Sequence, residues 1–448
     1  MNFWKDKVFL KSMFAIALPI ALQNLISTSV NMVDTLMITS LGEASLAAVG
    51  LANQVFFFYA LITFGINSGS SIFISQYWGK EDIINIRRIL GIALSLSTVL
   101  GIIFTFVAFL FPEFLMKIFI DDAEVVKLGA DYLKLVSLSY IVTAISFSFS
   151  VALRSTGRPN IPMVGSFISF ITNTVFNYIL IFGKLGFPAL GVKGAAIGTI
   201  IARFAELGFL IYTIYKTKGV LAASIKELID WNKEFLNRYI KTVSPVILNE
   251  GFWSLGHIMY SIAYASIGKE ATAAIQLTTT IQNIFFVLIR GLANACSVMV
   301  GNKIGAQEKD EAYDYAIKFI SMSTILGLLL GVTMSLTPDL TLKLFKIEPE
   351  LYEVAKKILI IMGFTFFVRT YNSTVIVGVL RGGGDTTFSL YLEMGAVWLV
   401  GVPLAFIGAK LLKLPVYYVF LLVVSEEVVK LVISLPRVLS KKWIKDIT

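Results

Sequence analysis

A single cysteine, Cys296, and a single histidine, His257, are the chain's whole supply of thiol and imidazole. One cysteine forms no internal disulfide, and the two residues together build no His/Cys metal cluster. Paired acidic motifs of the catalytic kind are missing as well, which leaves no machinery for a membrane-embedded enzyme. Charge is the third shortage. Asp, Glu, Lys and Arg make up 15% of the 448 residues and hydrophobic residues 56%, where a soluble domain carries about 25% charge. That balance excludes an ordinary water-soluble fold. A cleavable signal is not expected either, because Met1-Asn2-Phe3-Trp4-Lys5-Asp6-Lys7 runs into an apolar span too long for a signal core.

What the chain has is apolar runs of about 20 residues, enough to cross a bilayer as a helix. They fall at approximately 13–38, 46–73, 89–110, 130–153, 160–182, 192–215, 239–267, 272–299, 315–337, 356–381, 387–409 and 416–437. The expected fold is an all-α polytopic membrane protein with twelve transmembrane helices in two pseudo-symmetric six-helix bundles. An N-terminal lobe covers 1–215, a connector 216–238 and a C-terminal lobe 239–448. The connector mixes Ile225, Leu228, Ile229 and Phe235 with Lys226, Glu227, Asp230 and Lys233. It reads as an amphipathic surface helix.

Residues 19–79 are written again at 245–305 without a gap. Pro19 coincides with Pro245, Gly42 with Gly268, Ala47-Ala48 with Ala273-Ala274, Gly65 with Gly291 and Gly79 with Gly305. One inserted residue later, Arg154-Ser155-Thr156-Gly157 meets Arg381-Gly382-Gly383-Gly384. Six spans on either side of the connector give both halves one orientation, a parallel repeat about an axis along the membrane normal. Duplicated halves of this kind build secondary transporters, with the substrate path between them.

The net charge of +9 is topological and calls for no nucleic acid. Lys and Arg crowd into the N-terminus, Lys80 to Arg88, Arg154 and Arg158, the connector, Lys303 to Lys318, Arg381 and the tail from Arg437 to Lys445. Such an excess marks the cytoplasmic side, so both termini are expected there. Trp4, Trp78, Trp231 and Trp443 fall near the same ends, as an interfacial belt would.

An ionisable group at the centre of a membrane helix costs about 3 kcal/mol and is a functional candidate by default. The candidates are Asp34, Arg203, Glu206, Glu250, His257, Arg290, Arg369, Glu393, Glu426, Glu427 and Lys430. Asp34 ends a stripe of Asn24, Ser27, Asn31 and Asp34 on one face of the first span. Glu250, Trp253, Ser254 and His257 make a second stripe on the seventh. In the register of the repeat, Asn24 falls on Glu250, Asn31 on His257 and Asp34 on Tyr260. Counted from their prolines, Asp34 and Glu250 differ in depth by roughly 15 Å at 1.5 Å per residue. Arg203 with Glu206, and Glu426 and Glu427 with Lys430, are spaced to neutralise each other. Arg290, Arg369 and Glu393 are candidates for pairs between helices. Asn173 and Asn177 lie one turn apart on the fifth span, which runs outward and puts Asn177 near the depth of Asp34. Amide oxygens plus one carboxylate suit Na⁺, and a desolvated Asp34 equally suits a proton. The residues alone leave both open.

The Gly-rich pieces that begin at Arg154 and Arg381 lack the strand and the terminal Lys-Ser/Thr of a phosphate loop. They read as helix-ending turns on the cytoplasmic side, capped by Gly. Together with their surroundings they resemble the multidrug and toxic compound extrusion (MATE) family over essentially the whole chain. The residues concerned are Leu18-Pro19-Ile20 with Asp34 downstream, Gly79-Lys80-Glu81-Asp82, Leu153 to Gly157, Asn177 to Gly183, and Leu380 to Thr386. The resemblance implies two six-helix lobes working by alternating access, with efflux of organic cations against Na⁺ or H⁺. Members similar to the DinF branch hold a cation in the N-terminal lobe, which implies that role for Asp34, Asn173, Asn177 and Thr199. Asn177 stands where those members have an aspartate. Members similar to the NorM branch use acids on helices 7 and 10; Glu250 matches the first, while the tenth span has Arg369 and no carboxylate.

The expected function is a cation-coupled antiporter in a bacterial or archaeal cytoplasmic membrane. Its ion-coupling set is Asp34, Asn31, Asn173, Asn177 and Thr199. Its substrate-binding set is Glu250, Trp253, His257, Asn24 and Tyr260. No cofactor and no tightly bound metal are expected; Na⁺ at Asp34, Asn173 and Asn177 would be cargo. Small organic cations or amphiphilic drugs and the bilayer are the expected partners of a monomer. A lipid-linked oligosaccharide flippase of the same superfamily is the alternative, and it requires Arg203, Arg290 and Arg369 to converge on one cavity.

Overall fold

A computed structural model of the chain describes residues 6–343, 345 and 347–448, so Trp4 lies outside the described residues. In the first half, α1 (Lys7–Thr39), α2 (Glu43–Gly79) and α3 (Ile83–Leu110) are followed by a short α4 (Pro112–Lys117). Then come α5 (Ala123–Val136), α6 (Ser139–Ser155), α7 (Asn160–Phe182) and α8 (Val192–Lys216). After α9 (Ile225–Leu228) the second half repeats the order with α10 (Lys233–Ala265), α11 (Lys269–Gly305), α12 (Lys309–Leu336) and a short α13 (Pro338–Leu342). It ends with α14 (Pro349–Ser373), α15 (Thr386–Ala396), α16 (Val402–Phe406) and α17 (Val416–Leu439). Wide π-helical turns at Thr374–Arg381, Val397–Gly401 and Ile407–Leu411 extend α14 and join α15 through α16 into one span. The chain is thus an all-α polytopic membrane protein of twelve transmembrane helices. Among the described residues, eight helices are long and apolar enough to cross a membrane on their own, and the bent pair of α5 and α6 adds a ninth. The remaining three spans, on α10, α14 and α17, carry Glu250, Arg369, and Glu426, Glu427 and Lys430.

The duplication is visible in the turns. α2 and α11 both end in a turn whose last residue donates five positions back, Asp82 N to Tyr77 O at 3.0 Å and Glu308 N to Lys303 O at 2.9 Å. Both turns hold a left-handed residue at the same place, Glu81 (φ 58°) and Gln307 (φ 64°). The Arg-Gly turns also match. Arg158 N reaches Leu153 O at 2.8 Å and Asp385 N reaches Leu380 O at 2.8 Å, with Gly157 and Gly384 left-handed at φ 74° and 79°. This is the six-to-one bond that satisfies the last carbonyls of a helix.

Three expectations need correction. The fourth span, expected as one helix over 130–153, is α5 and α6 at 50° to each other. The carbonyl of Ser137 is taken by Thr105 Oγ1 at 2.8 Å and by the amide of Tyr140 at 3.0 Å, which breaks the helical ladder there. The surface helix expected over 216–238 is only the single turn α9, closed by a capping box between Ser224 and Glu227. From Lys233 the expected span is already helix α10, and the connector is tied to α3 at three points. Arg87 pairs with Glu227, Arg87 Nε donates to Val220 O at 2.9 Å, and Arg88 reaches Asp230 at 2.5 Å. The Ser224 amide and hydroxyl, and then Arg87, hold the Glu227 carboxyl below its ordinary pKa. Trp443, expected at the interface, is fully buried. The tail folds back over the second Arg-Gly turn, where Lys445 and Arg437 meet the buried Asp385 at 2.6 and 2.8 Å.

Packing defines two units. One is Leu22–Val243; the other is Ser244–Thr448 together with the described residues up to Ala21. The boundaries fall within three residues of Pro19 and Pro245, inside α1 and α10. The first unit is centred on Tyr59, stacked on Tyr140 with centroids 5.1 Å apart. In the second, Phe9 and Met13 are buried among Leu292, Val298, Phe319 and Val379.

Candidate functional site

A cavity of about 480 Å³ opens in the Leu22–Val243 unit. It is within the range of small-molecule sites. Asn31 and Asp34 enter it from α1, Asn173 from α7, and Thr199 and Arg203 from α8, against Phe56, Phe57 and Tyr132. Asn177 Nδ2 donates to Asp34 Oδ1 at 2.7 Å and to Asn173 Oδ1 at 3.3 Å. Asn173 Nδ2 donates in turn to Thr199 Oγ1 at 3.3 Å. The chain of contacts is possible because α7 and α8 touch through Gly198: a Cβ there would lie 2.0 Å from Asn177 Oδ1. That oxygen has no hydrogen-bond partner among the described residues. The five residues expected for ion coupling are therefore gathered in one place, four of them bonded in series and Asn31 on the same cavity wall.

Among the described residues Arg203 is the one cation on this wall, and it is already engaged. Its Nη1 meets Glu206 Oε2 at 3.0 Å. Ser166 Oγ donates to Glu206 Oε1 at 3.2 Å, and Gln23 Nε2 donates to Ser166 Oγ at 3.0 Å. Arg203 and Glu206 neutralise each other as their spacing implied, and Asp34 forms no ion pair within 4.0 Å among the described residues. It is a carboxylate held by an amide and facing a cavity.

The five residues expected for substrate binding are divided. Asn24 belongs to the Leu22–Val243 unit, where its carbonyl accepts from Thr28 at 3.0 Å. The other four lie on α10 in the second unit. Trp253 and His257 pack edge to face at 4.1 Å between centroids, and His257 lies 5.6 Å from the Tyr260 ring. The Tyr260 hydroxyl donates to Glu426 on α17. Glu250 Oε1 is 2.7 Å from Arg381 Nη2. Arg381, read from the sequence as a helix-capping loop residue, has a side chain only 4% exposed. The π-helical end of α14 carries it into the unit, 3.9 Å from Glu393 as well.

Sequence reasoning missed the density of this second cluster. Asn249 Nδ2 donates to Glu393 Oε2 at 2.5 Å. Lys430 lies 3.2 Å from Glu426 and 3.6 Å from Glu427, and Asn372 Nδ2 donates to Glu427 Oε2 at 2.7 Å. The repeat register carried a signal for it, since Asn249 falls on Gln23. The other arginines take separate partners: Arg369 meets Gln282 at 2.7 Å and Arg290 meets Asn283 at 3.5 Å.

The MatE family model matches residues 19–179 and 245–407, one match per half, each starting at a repeat proline. The chain is 25% identical over 436 residues to the probable multidrug resistance protein NorM of Thermotoga maritima, spanning 97% of this chain and 93% of that one. It is 27% identical to the uncharacterized transporter YisQ of Bacillus subtilis, over 98% and 96% of the two chains. A solved MATE structure in complex with MaL6 superposes with a TM-score of 0.87 at 20% identity, over 96% of this chain and 97% of that one. A MOP superfamily transporter from Pyrococcus furiosus, described by a binding pocket of reverse polarity, also superposes at 0.87 and 20% identity over 96% of each chain. With family matches over most of both halves and the fold shared end to end, the chain belongs to the MatE family of membrane transporters.

Proposed function

We propose that this transporter is a cation-coupled antiporter that exports organic cations or amphiphilic drugs by alternating access, against H⁺ or Na⁺. The observation that carries the reading is Asp34, an intramembrane carboxylate on the wall of the 480 Å³ cavity whose one neighbouring guanidinium is taken by Glu206. A lone desolvated carboxylate attracts a cation, and the phenyl rings of Phe56 and Phe57 favour one that is also apolar. Drug and coupling ion would then compete for Asp34, which is the condition for exchange. Asn173, Asn177 and Thr199 position the carboxylate and supply oxygens to the ion. In the other unit, the Trp253–His257 face of α10 offers an aromatic surface of its own. The names of the multidrug resistance relatives agree with this reading.

The test uses the full chain in proteoliposomes, with ethidium as the probe cation and Na⁺ and pH gradients imposed separately. One gradient should drive ethidium movement, and Asp34→Asn should lower the driven rate by about tenfold or more, the size of a typical coupling energy. Driven transport at the wild-type rate in Asp34→Asn would overturn the assignment of coupling to this residue.

A further inference from the structure

Two arginines of the second unit stand in its spans without an acid, Arg290 on α11 and Arg369 on α14. The carboxylates of those spans are paired elsewhere. Glu250 and Glu393 lie 2.7 and 3.9 Å from Arg381, and Glu426 and Glu427 lie 3.2 and 3.6 Å from Lys430. Among the described residues none of them forms an ion pair with Arg290 or Arg369. His257 and Tyr264 are the other ionisable groups in electrostatic range of Arg369, and neither carries negative charge near neutral pH. A guanidinium does not shed its charge. Both arginines therefore stay cationic where an unpaired charge is costly.

The two converge on one ring. Each guanidinium lies 5.8 Å from the centroid of Phe286, so they stand within twice that distance of each other. Their charges repel. The ring is fixed edge to face on the fully buried Phe366, with centroids 5.9 Å apart. What holds the arginines in place is neutral. Arg369 Nη1 donates to Gln282 Oε1 at 2.7 Å, and Arg290 Nη2 reaches Asn283 Oδ1 at 3.5 Å. An amide oxygen orients a guanidinium and leaves its charge intact. With five N–H groups apiece, both arginines keep donors for a further partner. Arg290 is exposed and Arg369 half-buried, so a ligand can reach them.

The repeat gives an independent reason to read this group as a binding site. In the register of the prolines, Gln282 falls on Phe56, Asn283 on Phe57, Phe286 on Ala60 and Arg290 on Phe64. In the register of the Arg-Gly turns, Arg369 falls on Val142. Phe56, Phe57 and Ala60 belong to the wall of the 480 Å³ cavity. The corresponding face of the second unit has exchanged two phenyl rings for amides and gained two guanidiniums. It has lost the carboxylate as well, since Asp34 falls on Tyr260. A face that suits a cation in the first unit suits an anion in the second. Arginine matches carboxylate and phosphate oxygens with two parallel bonds.

Depth narrows the ligand. Arg290 lies roughly 20 Å along α11 from Lys303, at about 1.5 Å per residue. Lipids around the protein keep their headgroups at the edges of a hydrocarbon core about 30 Å thick. An acid at Arg290 therefore arrives on a molecule that enters the protein.

We propose that Arg290 and Arg369, gathered on Phe286 and oriented by Asn283 and Gln282, bind the acidic group of an organic anion: a carboxylate, sulfonate or phosphate on an apolar body. The site goes beyond the cation reading and uses none of the residues around Asp34. It extends the ligands of this transporter to amphiphiles that carry an acid.

The experiment measures binding of two dyes to the full chain in phosphatidylcholine nanodiscs by fluorescence polarisation. One is a rhodamine with a free carboxylic acid, the other the ethyl ester of the same dye. Arg290→Gln and Arg369→Gln should each weaken the acid by about tenfold or more, the worth of a hydrogen bond to a charged group, and leave the ester unchanged. Arg290→Lys, which keeps the charge, should restore part of the loss. Cys296, buried in the same unit, stays masked to a thiol-reactive dye in a variant that has folded. Nanodiscs with phosphatidylglycerol separate the two sources of the anion. Acid binding that persists there supports a soluble organic acid, and binding that is lost there assigns the same arginines to a lipid headgroup. Equal affinity of the acid for wild type and both Gln variants, or no binding of it to wild type, would overturn the site. Failure of wild type to bind the ester would instead count against the cation reading at Asp34.

Discussion

Arg381 shows at the scale of one residue how the two halves diverged. Its counterpart Arg154 bonds back to its own helix, Nε to Ser150 O at 3.3 Å, and the register partner of Glu250 in that half is the uncharged Asn24. The second half gives its arginine two carboxylates, Glu250 at 2.7 Å and Glu393 at 3.9 Å. Nε and Nη1 of Arg381 have no partner among the described residues, so spare donors are available if one carboxylate is lost. A guanidinium does not shed its charge. Glu250→Gln and Glu393→Gln are therefore each expected to be mild, because the other carboxylate takes over. The double variant leaves Arg381 buried without a carboxylate, at a cost of about 3–5 kcal/mol, more than the sum of the singles. Cys296 is buried in the same unit and is the only thiol of the chain, so its unmasking to a thiol-reactive dye on heating reports that unit's unfolding. Unmasking temperatures that fall additively would refute the shared role of the two acids.

At the scale of elements, the connector shows what a sequence does and does not carry. Its alternation of apolar and charged residues reads as a surface helix, yet its one helical turn is held to α3 by Arg87 and by a close backbone approach. Gly91 is the reason: a Cβ there would lie 1.7 Å from the carbonyl oxygen of Leu228. Gly91→Ala should lift the connector and speed trypsin cleavage at Lys226 and Lys233. Gly208→Ala on α8, with nothing within 4 Å of its Cβ, is the matched control. Equal cleavage of the two variants would count against docking through Gly91. Such an approach between residues far apart in sequence has no local pattern, and neither has the docking of Trp443 over Gly383. The twelve spans were legible as apolar runs of membrane-crossing length, and the paired turns because Pro, Gly and Arg recur in register. The contact of Asp34 with Asn177 was legible because two amides one turn apart lay at the depth of an isolated carboxylate. The acidic cluster was not, because the residues that build it come from α10, α14, α15 and α17, and Arg381 sits in a Gly-rich stretch that imitates a loop.

At the scale of the whole molecule, the chain is two copies of one scaffold that share their opening segments. The start of α1 supplies Phe9 and Met13, both fully buried, to the core of the unit built from Ser244–Thr448. The start of α10 supplies Tyr239 and Val243 to the unit of Leu22–Val243. Tyr239 shares a hydrogen bond with Ser70 at 2.7 Å and stacks on Phe73 at 5.8 Å, and Val243 fills the space left by Gly69. A cut in the connector after Lys218, a left-handed turn residue, therefore leaves each fragment without part of its own core. Fragment 1–218 lacks Tyr239 and Val243, and fragment 219–448 lacks Phe9 and Met13. Buried aromatic and aliphatic side chains hold helices together in a membrane by close packing, because lipid supplies no hydrophobic drive between helices. Neither fragment should then give a monodisperse peak when made alone. Made together, they should co-purify through a tag on either one and elute where the intact chain does. A second fragment that behaves well alone, with Cys296 unmasking at the wild-type temperature, would show that the opening segments are dispensable to packing and that the units are independent.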